Sequence, residues 1–347
     1  MRHQVTAGRC ARDSYADKVQ TRAEARLGSP MSLVLVIVAA VWLGACGKPV
    51  PGHGDGAPAQ GASGASSAAN VLELRAVGMR FEGPEEIPSG WVTVRLNNLS
   101  GMVHFAMIER LPEEATVERM HAEVTPAFQR GLEALNAGDA DAANAAFGAL
   151  PEWYGKVVYF GGPGLVSGGG TAETTLFLEP GRYVVECYVK TNGIFHSYSA
   201  ESGQLGMIHG LTVTKVASDA KEPVPNVTLA VSSQGFEIVE GELDRGPNVV
   251  KVMFRDQQTY PNFVGHDVHV VRLGEGVDVG AVGAWMDWRT ADGLQTPAPA
   301  VFLGGINDMP AGSAAYFTLD LASGEYAFVA EVPSPADYGL LLPFTIE

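Results

Sequence analysis

The sequence predicts an all-β protein built as two tandem β-sandwiches, the first carrying a helical insertion. Short runs that alternate apolar and polar residues, such as VLELRAVGMRFEG from Val71, are bounded by Gly, Pro, Asn and Ser. With 42 Gly and 21 Pro in 347 residues, turn-formers are frequent enough to separate many short strands. The second half then repeats the first segment by segment, and 347 residues with 46% hydrophobic content can bury two cores.

Residues 1–46 read as a leader. A polar, basic stretch containing Cys10 runs to residue 30, and Met31 opens the apolar run SLVLVIVAAVWLGAC. Its apolar part is shorter than the ~20 residues of a membrane span and suits a signal-peptide core, so Met31 reads as the true start. The run ends in Leu43-Gly44-Ala45-Cys46, which resembles a bacterial lipobox. That resemblance implies lipidation of Cys46, membrane lipid as a partner, and a place in the cell envelope on the periplasmic side or the cell surface. The expected basic residue after Met31 is missing. Residues 47–70 are rich in Gly, Ala, Ser and Pro and read as a disordered tether.

The first folded unit is expected over residues 71–215. Its opening strands are followed by MVHFAMIERLP, in which His104 shares a strand face with Ala106 and Ile108. Between residues 113 and 154, Val117, Met120, Val124, Phe128, Leu132 and Leu135 recur at spacings of three and four, which predicts two or three short helices, with Pro126 breaking or restarting the run. A covering role is the expectation for this insertion. The Gly-rich segment that follows lacks the GxxxxGK[ST] pattern of a phosphate loop.

From Leu176 to Val213 the chain gathers Cys187, His196, Met207 and His209. A soft thiolate, imidazoles and a thioether form a ligand set that suits copper. The residues WVTVRLNNLSGMVHFAMIERL, FLEPGRYVVECYV, NGIFH and LGMIHGLTV resemble the cupredoxins, the Greek-key β-sandwich family of plastocyanin and azurin. In that family one His comes from an early strand, and Cys, His and Met come from the loop between the last two strands. The resemblance therefore implies a type 1-like copper site of His104, Cys187, His196 and Met207. Eight residues separate Cys187 from His196 but ten separate His196 from Met207, so SYSAESGQLG must loop outward. His209 remains a rival for the second imidazole.

The second unit, expected over residues 225–347, aligns FVGHDVHVVRL with MVHFAMIERL and GEYAFVAEV with GRYVVECYV. His266 falls at His104, Ala330 at Cys187, Leu340 at Met207 and Leu342 at His209, and no histidine replaces His196. This predicts a degenerate sandwich without the site. Asp267 and His269 lie beside His266, yet the sequence offers no further ligand to join them. Trp285, Met286 and Trp288 are expected to pack in a core or between the units.

A net charge of -16 argues against nucleic-acid binding. No GxSxG or HExxH is present, and the extra histidines that an oxidase or nitrite reductase needs are missing, since Glu186 precedes Cys187. The sequence thus predicts no enzyme, but a lipoprotein with one copper for one-electron transfer or copper holding, served by a redox partner protein. The alternative is a metal-free tandem sandwich acting as a binding or structural module.

Overall fold

The opening strand Val71–Ala76 forms where the alternation places it. In a computed structural model, residues 70–201 and 204–347 are described. The leader, Cys46 and nearly all of the tether lie outside these residues. Among the described residues no helix is long and apolar enough to cross a membrane.

In the N-terminal half the strand Val71–Ala76 runs parallel to Glu86–Asn98, with Val71 opposite Thr93. The strand Thr171–Leu178 then pairs antiparallel with Glu86–Asn98. The start of Glu86–Asn98 also pairs with Ile208–Ala217, which leads on to Gly181–Glu186 and Met107–Arg110. One long strand thereby serves both faces of the sandwich, and Leu72, Leu74, Val92, Val94, Val185 and Leu211 fill the space between them.

The C-terminal half repeats this pairing. Val227–Ser232 runs parallel to Gly246–Phe254, which pairs with Ala314–Leu321. The opposing face is the four-stranded sheet Val301–Ile306, Val268–Leu273, Gly324–Val329 and Leu341–Ile346. The halves are joined through their sheets, because Ala314–Leu321 pairs with Thr171–Leu178, Tyr316 opposite Thr175. Even a side-chain detail recurs: the Tyr183 hydroxyl donates to the Glu179 carbonyl at 2.9 Å, and Tyr326 donates to Ala322 at 2.9 Å.

The insertion is helical, as its periodicity predicts. A short turn Val117–Arg119 and a π-helical turn Met120–Val124 lead into the helix Thr125–Asn136, followed by Ala140–Gly148. Pro126 lies in the first turn of its helix, where a missing N–H costs nothing, so it starts an element rather than breaking one. Met120, Val124 and Leu132 are buried, with Phe128 and Leu135 packed beside them. Trp285 and Trp288 are buried as expected of packing residues.

Candidate metal centre

His104 is fixed by the turn before it. The buried Asn98 amide donates to the carbonyls of Met102 at 2.7 Å and Val166 at 2.9 Å, while its oxygen accepts from the Ser100 N–H. His104 then exchanges two main-chain bonds with Val166, at 3.1 and 2.7 Å. The regular strand begins only at Met107, later than alternation suggests. The reason lies in the partner segment, which is irregular: Gly161 and Gly162 have φ of 80° and 95°, and a Cβ on Gly162 would meet the Ala106 carbonyl at 2.2 Å.

Cys187 ends the strand Gly181–Glu186, its N–H donating to the Met207 carbonyl at 3.1 Å. The eight residues to His196 form a tight hairpin, Lys190–Thr191 against Ile194–Phe195. Asn192 and Gly193 form its turn at φ of 53° and 75°. Asn-Gly is the pair that a two-residue hairpin demands, a signal present in the sequence that could have placed this loop. Of the ten residues after His196, Ser202 and Gly203 lie outside the described residues. The ends of this stretch stay together because the Met207 N–H donates to the His196 carbonyl at 2.7 Å. The approach at Gly206 is close, since a Cβ there would meet the Ser197 carbonyl at 2.0 Å.

These elements bring three donors to one point. The Cys187 Sγ lies 3.5 Å from His104 Nδ1 and 3.9 Å from His196 Nδ1, and the two nitrogens are 3.2 Å apart. All three side chains are buried. Three ligands at 120° around a first-row ion, with bonds of about 2.05 Å to nitrogen and 2.3 Å to sulfur, would stand about 3.5 Å (N to N) and 3.8 Å (S to N) apart. The observed triangle is within a few tenths of an ångström of that, so these residues fit a metal. A thiolate with two imidazoles is a set that suits copper.

Burial sets the protonation of all three groups. It holds His104 down to about 4, and it holds His196 down to about 3 with the neighbouring His104 adding to the effect, so both rings are neutral ligands. The thiol of Cys187 is pushed up to about 12 by burial, against the pull of the Phe105 and Val189 N–H groups. Metal binding there must displace a proton. His196 is oriented from behind: its Nε2 lies 2.9 Å from Thr191 Oγ1, which is 2.9 Å from Thr296 Oγ1 of the C-terminal half. With Nε2–H donating to the hydroxyl, the Nδ1 lone pair faces the sulfur.

The remaining two residues are separated by the fold. Met207 is fully buried, and its peptide is bonded to both the Cys187 and the His196 main chains. His209 is partly exposed on the strand Ile208–Ala217, where its Nε2 donates to the Pro84 carbonyl at 3.0 Å, outside the buried triangle.

Three further side chains hold the ligand loop, and no local pattern announced them. Gln129, on the inserted helix, donates to the Gly193 carbonyl at 3.1 Å and accepts from the Phe195 N–H at 3.0 Å. Gln295 accepts from the Gly193 N–H at 2.9 Å. Lys190 is fully buried and caps the carbonyls of Trp288 at 2.9 Å and Thr290 at 2.6 Å. Burial draws its ammonium down to about 8, with Asp287 and Asp292 opposing.

At the equivalent place in the C-terminal half there is no donor triangle. The Ala330 N–H donates to the Leu340 carbonyl at 3.0 Å, as Cys187 does to Met207, but the side chains are methyl and isobutyl. Leu342 is partly buried on the last strand. His266 is buried, with Nε2 3.1 Å from the Tyr260 hydroxyl. One expectation needs correction here: Glu331 does join Asp267 and His269, all three within 4.8 Å and buried. The strand pairing of Val268–Leu273 with Gly324–Val329 delivers it from far along the chain. The trio is nonetheless a poor metal site. His269 Nδ1 accepts the Leu165 N–H at 3.0 Å, so its Nε2 carries the proton and donates to Asp267 Oδ2 at 2.9 Å, leaving no lone pair.

No family model and no curated protein matches the chain. Among solved structures, auracyanin B is 21% identical, with 37% of this chain and 93% of that chain covered and a TM-score of 0.26. Auracyanin A, a "blue" copper protein from Chloroflexus aurantiacus, is 22% identical over 42% of this chain and 98% of its own, with a TM-score of 0.24. The copper nitrite reductase from Nitrosomonas europaea is 12% identical over 80% and 93%, with a TM-score of 0.21. At such scores these likenesses carry no weight in the assignment, which rests on the strand pairing and the donor triangle. What the chain itself shows is two β-sandwiches of repeated strand pairing, with a buried His-Cys-His group between an early segment and the last loop of the first.

Proposed function

We propose that this chain holds a single copper ion at His104, Cys187 and His196, with Met207 as a weak fourth ligand, and serves in one-electron transfer or copper holding. The observation that carries the reading is the buried triangle of one Sγ and two Nδ1 atoms at 3.5, 3.9 and 3.2 Å. Copper bound there would exchange one electron between its two oxidation states. The protein's part is to exclude water by burial, keep both imidazoles neutral, and hold the donors rigidly enough that little rearrangement accompanies the exchange. The chain lacks a His-x-His pair, and the imidazole of the second buried cluster has both nitrogens engaged, which favours a carrier over an oxidase.

Lipid attachment at Cys46 would place this carrier in the cell envelope, facing a protein redox partner; the support is the Leu43–Cys46 tetrad and the tether behind it. In a redox titration of the copper-loaded full chain we expect one reversible electron per chain. Copper that binds but cannot be cycled would refute electron transfer and leave copper holding. For the anchor, Cys46→Ala should move the protein from the membrane to the soluble envelope fraction, and unchanged fractionation would defeat the lipoprotein reading.

A further inference from the structure

One peptide bond from Cys187, on the far side of its strand end, a cavity of about 50 Å³ lies between the helical insertion and the C-terminal half. At ~10–15 Å³ of such space per water, that is room for about three to five water-sized occupants. Its polar wall combines the hydroxyls of Thr125, Tyr154, Tyr159, Tyr188 and Ser197 with acidic and amide acceptors. Glu186 and Asp308 line it, and so does Asn262, whose amide nitrogen is committed to the Glu331 carbonyl at 2.8 Å while its Oδ1, in a side chain 1% exposed, has no partner. Behind Glu186 sits Glu109, fully buried, with neither carboxyl oxygen bonded to a donor. None of the lining residues is Lys, Arg or His.

Buried carboxyls without a counter-charge are costly, and their titration reflects this. Asp308 accepts the Gly265 N–H at 3.1 Å, and burial pushes its carboxyl up to about 7. The rest of the wall is aromatic: Phe128, Phe263 and Trp288 pack edge to face, Phe128 standing 5.6 Å from Phe263 and 6.1 Å from Trp288. A donor-rich cation meets both walls at once, because N–H groups satisfy the acceptors and the positive charge is attracted to the ring faces. A bare metal ion fits less well, since these carboxylates do not converge as the copper donors do.

We propose that this cavity is a binding site for a small organic ammonium cation, held by Glu186, Asp308 and Asn262 against the Phe128, Phe263 and Trp288 wall. The site does not depend on copper. It is tested by calorimetric titration of the full chain with methylammonium chloride, using potassium chloride as the ionic-strength control. We expect saturable one-to-one binding, no binding of tetraethylammonium, which is too large, and affinity at least tenfold weaker in Asp308→Asn and in Asn262→Leu, as loss of a charge-assisted or a buried hydrogen bond predicts. Thermal unfolding of each variant verifies that it is folded, and the two substitutions lie on different segments, so one failed variant leaves the other. Heats indistinguishable from potassium chloride would overturn the proposal in favour of a water-filled cavity. Tight binding of Mn²⁺ that methylammonium does not displace would overturn it in favour of a metal site, and methylammonium binding unaffected by both substitutions would place the ligand elsewhere.

Discussion

The two halves of this molecule share a strand order, a parallel first pair, a tyrosine hydrogen bond and the main-chain bond that joins Cys187 to Met207 in one and Ala330 to Leu340 in the other. They differ at the donors. Replacing a thiol by a methyl and a thioether by an isobutyl leaves the sandwich intact, because the backbone bonds and the apolar core carry the fold and the donor side chains add only chemistry. The C-terminal half is not idle, however. Through the Trp288 and Thr290 carbonyls that bind Lys190, and through Gln295 and Thr296, it grips the loop that carries His196.

The sharpest way to break this comparison is at the second imidazole. His196→Ala removes a donor from the buried triangle and should abolish stoichiometric tight copper binding, whereas His209→Ala removes only a bond to the Pro84 carbonyl and should leave affinity within a fewfold of the parent. Copper titration followed by equilibrium dialysis reads both. The reverse pattern would put the site on the rim of the sandwich.

A smaller effect separates the halves by pH, in the metal-free chain. His104 and His196 have folded-state values depressed to about 4 and about 3, so below their ordinary 6.5 the unfolded chain binds more protons than the folded one. Their contribution to stability is therefore complete above pH 6.5 and is lost as pH falls towards 3. Asp308 of the C-terminal half has the opposite sign: raised from 3.8 to about 7, it contributes stability that is complete below 3.8 and lost as pH rises to 7. At most this amounts to roughly 4 kcal/mol. Thermal unfolding of copper-free protein should thus show Asp308→Asn stabilised relative to the parent near pH 7 but not near pH 4. Equal effects at both pH values would remove Asp308 from the account.

Much of this was legible from the chain. The cluster of Cys187, His196, Met207 and His209 and the apolar periodicity of the helical insertion are local patterns, whereas His104, 83 residues before Cys187, was implied only by the resemblance to the cupredoxins. Which of His196 and His209 faces the sulfur was not legible, since it depends on an Asn-Gly hairpin and on the main-chain bond from Met207 to His196. Gln129, Lys190 and Thr296 were invisible for a plainer reason: each meets its partner across about 60 residues or more, and a polar residue on a helix or loop has no periodicity that marks it. Glu331 was missed in the same way, delivered to Asp267 and His269 by strand pairing between distant segments.

The account turns on Cys187 as the thiolate of a copper site. The most direct test is the visible spectrum of the full chain titrated with Cu(II), beside the same titration of Cys187→Ser. A sulfur ligand supplies an intense charge-transfer band that a hydroxyl cannot, so the parent should develop the band to an end point of one copper per chain and the variant should show none. Copper bound by the parent without a visible band, or a band that survives in Cys187→Ser, would contradict the account and leave a metal-free sandwich as the better description.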